Sequence, residues 1–113
     1  MALSDLLEHV TPGRPGGGTV RAVWNGAVLA ESDDTIVLEG NHYFPRESVR
    51  EDHLVASSHT SRCPWKGVAS YLTVEANGRR NENAGWIYAD PSPAARRIAG
   101  RVAFWRGVEI ERG

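Results

Sequence analysis

Apolar residues recur at every second position through much of this sequence, the period of a strand with one buried face. In residues 19–24, Val20, Ala22 and Trp24 share a side. Asn25-Gly26 follows, and this dipeptide supplies the two left-handed residues of a type I′ turn, so the chain should fold back into a second strand over 27–30. Ser32-Asp33-Asp34 marks another turn before an apolar strand over 35–39 that ends on Glu39, giving an antiparallel meander. Tyr43-Phe44 forms a brief extended piece stopped by Pro45. Residues 46–54 mix charges with Val49 and Leu54, which suits either a short helical turn or an irregular crossing segment.

β-Branched and aromatic residues return over 68–76, Asn77-Gly78 marks a second hairpin, and Trp86-Ile87-Tyr88 resumes the partner strand. Ser92-Pro93 offers a capping hydroxyl with proline at the first helical position, and Gly100 stands where a left-handed terminating residue belongs, so 93–99 should form a short helix. Residues 101–105 and 107–111 complete the sheet, with Val102 and Phe104 inward. At the other end, Ser4 caps an amphipathic helix through Leu6, Leu7 and Val10, and a run of prolines and glycines forms a linker. The organisation is therefore a lead of residues 1–18 and a β domain over 19–113. No internal repeat is visible.

A chain of 113 residues can bury a core of its own without a staple. Its net charge of -1 and scattered Arg79-Arg80 and Arg96-Arg97 pairs argue against a nucleic-acid partner, which calls for a basic stripe. No segment has the length and apolarity of a membrane span or a secretory signal, so a cytoplasmic address is expected. The single cysteine agrees with a reducing compartment. The glycines of 13–18 follow no strand and lack the Lys-Ser/Thr ending of a phosphate loop, and no other cofactor motif is present. Composition leaves the oligomeric state open.

The densest chemistry lies in Thr60-Ser61-Arg62-Cys63-Pro64-Trp65-Lys66-Gly67, at the junction between a loop and a strand. The pattern T-x-x-C-P-x-K-G-x-A-S-Y, preceded by Tyr43-Phe44-Pro45 and followed by Trp86-x-Tyr88, resembles the DUF427 family of small bacterial β-rich domains over residues 21–108. The resemblance implies a mainly β fold, with antiparallel sheets in a β-tent-like (Mss4-like) single domain carrying one or two short helices. Several β-tent relatives hold zinc with paired Cys-x-x-Cys motifs, and one cysteine cannot supply that site. A nucleotidyltransferase reading attached to the family lacks support here. Neither a phosphate cradle nor a separated pair of metal-binding carboxylates is present, and Asp33-Asp34 is a turn.

Three residues are candidates for chemistry. Cys63 precedes proline and lies three positions before Lys66, whose charge would favour the thiolate; the alternative is an inert buried cysteine. Lys66, if inward, could act as a base with a depressed pKa, pair with a carboxylate or bind an anion, against the ordinary outcome of an exposed lysine. Glu39 is its expected countercharge, at an acidic position that the resemblance also implies. Tyr43, Tyr71, Trp86 and Tyr88 are candidate ligand-binding residues lining a cleft, or else plain core. Tyr71 stands five positions beyond Lys66, which on a continuous strand places the two on opposite faces. His42, His53, His59 and Cys63 do not have the spacing of a metal clip, so no metal site is assigned.

Two functions fit these residues. One is a small-molecule-binding β domain, with or without catalysis, whose pocket is built around Glu39, Tyr43, Cys63 and Lys66. The other is a non-catalytic interaction module that receives a peptide or partner protein in an aromatic groove.

Overall fold

The computed structural model describes residues 18–112, so the expected N-terminal helix and most of the linker lie outside the described residues. Nine strands form three antiparallel sheets among those residues. Strands β1 (Val20–Trp24) and β2 (Ala27–Ser32) pair as a hairpin, and β9 (Glu109–Arg112) joins β1 on its other side. The short hairpin of β3 (Ile36–Leu38) and β4 (Asn41–Tyr43) stands alone. The largest sheet has four strands in sequence order: β5 (Leu54–Cys63), β6 (Gly67–Ala76), β7 (Arg79–Ile87) and β8 (Val102–Phe104). The architecture is thus mainly β, with antiparallel sheets in one small domain. The expected meander is corrected: β3 leaves β2 and pairs with β4, while β9, distant in sequence, takes the free side of β1.

Alternation divides the side chains of the large sheet between two clusters. Leu72 and Val74 of β6, Ile87 of β7 and Val102 and Phe104 of β8 meet Val20, Ala22 and Leu29 of the first sheet, with Phe44 and Val49 between them. Ala69 and Tyr71, Trp86, and Ala103 point to the opposite side, where Tyr43, Tyr88, Ala95 and Ile98 cover them. Tyr43 and Phe44, adjacent in sequence, therefore serve different clusters. Phe44 exchanges backbone hydrogen bonds with Val102 at 2.8 and 2.9 Å, which fixes the β3–β4 hairpin against β8.

The Asn-Gly turns form where the sequence places them. Asn25 and Asn77 have φ of 50° and 51°, each followed by a glycine at 81°. The two turns also hold each other: the Asn25 amide donates to the Ala76 carbonyl at 2.9 Å, and the Asn77 amide donates to the Asn25 carbonyl at 2.8 Å.

One open alternative is decided in favour of helical turns, and two local expectations change. Residues 46–54 form two single 3-10 turns, Arg46–Ser48 and Glu51–His53. The helix expected over 93–99 is 3-10, Pro93–Ile98, and the Ser92 hydroxyl does not cap it. That hydroxyl instead donates to the Trp65 carbonyl at 2.6 Å, and the Ser92 N–H donates to the Lys66 carbonyl at 2.9 Å. Finally, the stretch before Cys63 is strand β5 rather than loop. Its sequence, rich in Ser, His and Thr, is exposed at most positions because β5 is an edge, so it shows little apolar alternation. No helix among the described residues is long and apolar enough to cross a membrane.

Candidate functional site

Residues 64–66 turn the chain between β5 and β6, with Cys63 paired to Gly67 at the neck of the hairpin. Gly67 has φ of 116°, a conformation that side-chain-bearing residues rarely adopt. Both carbonyls held by Ser92 belong to this turn, which fixes it against the 90–93 segment. Lys66 leaves the turn toward the interior, and only 8% of its side chain is exposed.

The ammonium of Lys66 reaches a cavity of about 270 Å³. Its walls are aromatic: Tyr43 from β4, Tyr71 from β6, Trp86 and Tyr88 from β7 and the residue after it, and Trp105 just beyond β8, with Asn41 adding a polar edge. Trp86 stands at the junction of the rings. It meets Tyr43 edge-on at 6.2 Å between centroids and Trp105 edge-on at 5.8 Å, and its indole N–H donates to the Tyr43 hydroxyl at 3.2 Å. Tyr71 lies 6.3 Å from Trp105 and 4.7 Å from His59, so the aromatic surface continues outward onto β5.

The placement of Tyr71 corrects the parity argument. Tyr71 and Lys66 line the same cavity, because Lys66 precedes β6 in a turn and the alternation of the strand begins only at Gly67.

Glu39 meets Lys66 as an ion pair, and its second oxygen accepts from the Trp65 indole N–H at 3.3 Å. It does so from a position unlike the expected strand end. Glu39 and Gly40 are the two turn residues between β3 and β4, with φ of 55° and 81°. Its side chain is 46% exposed, so it approaches the ammonium from the rim rather than from within the cavity.

The charges follow from these contacts. The Lys66 hydrogen bond holds the Glu39 carboxyl below its ordinary value, against the opposing effect of burial. For Lys66, burial disfavours the ammonium, but the bond to Glu39 and the proximity of Tyr88 and Cys63 outweigh it and raise the pKa. Of the roles open to an inward Lys66, the structure shows the pairing with a carboxylate, and the raised pKa favours the ammonium over the free amine that a base would need. The ammonium sits 5.2 Å from the Trp65 ring centroid and 5.5 Å from that of Tyr88, within cation–π range. Burial raises the hydroxyl pKa of both Tyr43 and Tyr88, so both stay neutral hydrogen-bonding groups.

Cys63 is partly exposed and packs at the margin of the same cluster. The backbone N–H of Trp65 lowers its thiol pKa most, with the Lys66 N–H and ammonium adding to it and burial opposing. It lies beside the cavity rather than among its wall residues.

The described histidines are dispersed. His42 bonds Thr35 at 2.9 Å, His53 bonds the Glu75 carbonyl at 2.8 Å, and the His59 ring meets that of Tyr71 at a tilt of 52°. Among the described residues no group of three or more His, Cys, Asp or Glu side chains gathers at metal-ligand distances.

Sequence reasoning missed Asn41, Trp105 and the role of Trp65. The signal for Trp105 was present: the alternation that sends Val102 and Phe104 to one cluster sends Ala103 and the following Trp105 to the other side.

The site and sheets define a small antiparallel β domain with an open, aromatic-walled cavity and a lysine–glutamate pair at its rim. The chain belongs to the family described as Domain of unknown function (DUF427), whose profile matches residues 14–112. No curated protein matches the sequence.

Proposed function

We propose that the protein binds a small molecule in the cavity between the β3–β4 hairpin and the four-stranded sheet, with Lys66 as the polar anchor and the aromatic rings as walls. The observation that carries this reading is a lysine whose side chain is only 8% exposed, lining a cavity of about 270 Å³ whose other walls are chiefly Tyr and Trp. Apolar walls with a few convergent polar groups are the usual composition of a ligand site. In this reading Lys66 orients the ligand, Glu39 balances its charge, and Cys63 stands beside the ligand as the nucleophilic group available for chemistry. A lone free thiol with a depressed pKa suits the reducing bacterial cytoplasm.

The test is to purify the protein natively, extract it and identify released small molecules by mass spectrometry, comparing wild type with Lys66→Met. A stoichiometric compound carried by the wild type and absent from the variant supports the reading. Equal retention by a folded Lys66→Met protein removes Lys66 from the site.

A second reading is favoured by Trp65 and Trp105, which are 42% and 43% exposed at the rim. Exposed tryptophans around a cavity also suit a side chain inserted from a peptide or partner protein. Co-purification of a stoichiometric protein, lost on Trp105→Ala, would support this reading over the first.

A further inference from the structure

We propose that the cavity takes a planar aromatic carboxylate, and that Glu39 is a built-in competitor which such a ligand displaces from Lys66. The inference rests on the small-molecule reading and specifies the ligand class of that site. Its starting point is that the ammonium already holds a carboxylate, that of Glu39, supported by the Trp65 indole N–H at 3.3 Å. Lys66, which also lines the cavity, is therefore already a carboxylate receptor, occupied from the rim by the protein itself.

The two partners are not equally free to leave. The Lys66 side chain is 8% exposed, and Ser92 holds its carbonyl at 2.9 Å. The Glu39 side chain is 46% exposed and comes from a two-residue turn at the rim, so it can rotate into water while Lys66 stays. A cationic ligand would meet the Lys66 charge, whereas an anionic one replaces Glu39 and leaves the buried ammonium paired. The aromatic walls call for a planar body. A volume of about 270 Å³ lies at the lower limit of ordinary ligand pockets, which suits one or two fused rings.

The turn itself shows that the carboxylate is not there for local conformation. In the other two hairpins with two-residue turns, the left-handed position before glycine is Asn25 or Asn77, at φ of 50° and 51°. At φ of 55° the β3–β4 turn carries Glu39, a side chain poorly suited to that backbone. What glutamate adds over asparagine is reach and charge, and both are directed at Lys66.

The test measures binding of naphthoate and its uncharged amide to wild type, Glu39→Gln and Glu39→Asp by NMR titration. Aspartate keeps the charge, is tolerated in the left-handed region and is too short to span the same gap. Both variants are expected to bind naphthoate about two- to fivefold more tightly than wild type, the scale of a solvent-accessible ion pair, with the amide changed by less than about 1.5-fold. If the amide binds but naphthoate is unchanged or weakened in both variants, Glu39 is not a competitor and the cavity reading stands without it. If neither probe binds any of the three proteins, the aromatic-carboxylate inference falls, while the cavity reading is decided separately by the compound released from the natively purified protein.

Discussion

The Glu39 carboxylate and the Lys66 ammonium pair across 27 residues of sequence, one carried by the turn of a two-stranded sheet and the other by the turn between the first two strands of the large one. Their pKa values move apart, Glu39 downward and Lys66 upward, which fixes the pH window in which the pair stabilises the fold. A carboxyl with a depressed folded pKa contributes above its ordinary value of 4.5, and that contribution is lost as pH falls through the lower folded value. An ammonium with a raised folded pKa contributes fully below 10.5, and that contribution is lost as pH rises through the higher folded value. The stability difference between wild type and Lys66→Met should therefore be level at neutral pH and change at both extremes. Urea unfolding across the range checks this, and a difference independent of pH would show that the charges contribute nothing.

The Tyr43–Trp86 contact gives a second prediction. Tyr43 is 1% exposed and its hydroxyl accepts the Trp86 indole N–H at 3.2 Å. Tyr43→Phe leaves that half-buried donor without its partner at little change in volume, so it should cost about 1–3 kcal/mol. In a double-mutant cycle with Trp86→Phe, the coupling should be about 0.5–1.5 kcal/mol. Additivity of the two substitutions would mean that the bond adds no stability and that the rings alone set the wall.

The turns that clasp the two large hairpins give a third. Asn77→Gly keeps the left-handed backbone and removes the 2.8 Å bond to Asn25, and should cost about 1 kcal/mol. Asn77→Ala removes the same bond and forces a side-chain-bearing residue to φ of 51°, adding about 1–2 kcal/mol more. Chemical denaturation separates them, and equal stability of the two variants would show that the turn relaxes to another conformation.

What the sequence discloses depends on whether the cause is local. Asn25-Gly26 and Asn77-Gly78 demand left-handed residues, and both turns form where they stand. The partition of Val102 and Phe104 from Ala103 follows from strand alternation alone. Strand β5 escapes because an exposed edge needs no apolar pattern, its order coming from backbone bonds to β6. The pairing of Glu39 with Lys66 is legible as charge complementarity in a shared motif. That Glu39 sits in a turn is not, since glutamate there runs against local preference and is explained only by its partner. Ser92 shows the same limit: its hydroxyl satisfies every local rule for a helix cap and is instead bonded to the Trp65 carbonyl.

Cys63 carries the last prediction. Its thiol is partly exposed, and the largest influence on its pKa is the Trp65 backbone N–H, followed, among those that favour the thiolate, by the Lys66 N–H and then the Lys66 ammonium. Since the thiolate is the nucleophile, iodoacetamide should label native Cys63 with a pH midpoint below the ordinary 9.0. Lys66→Met removes the ammonium but keeps both backbone donors. The midpoint should therefore rise only part of the way, and labelling at neutral pH should slow without stopping. Gly67→Ala disturbs the turn that aims those N–H groups, because φ of 116° is strained for alanine, and it should slow labelling further even with the lysine present. Labelling seen only in denaturant would make Cys63 a packed, inert thiol, and a midpoint fully restored by Lys66→Met alone would assign the activation to the lysine charge instead of the turn.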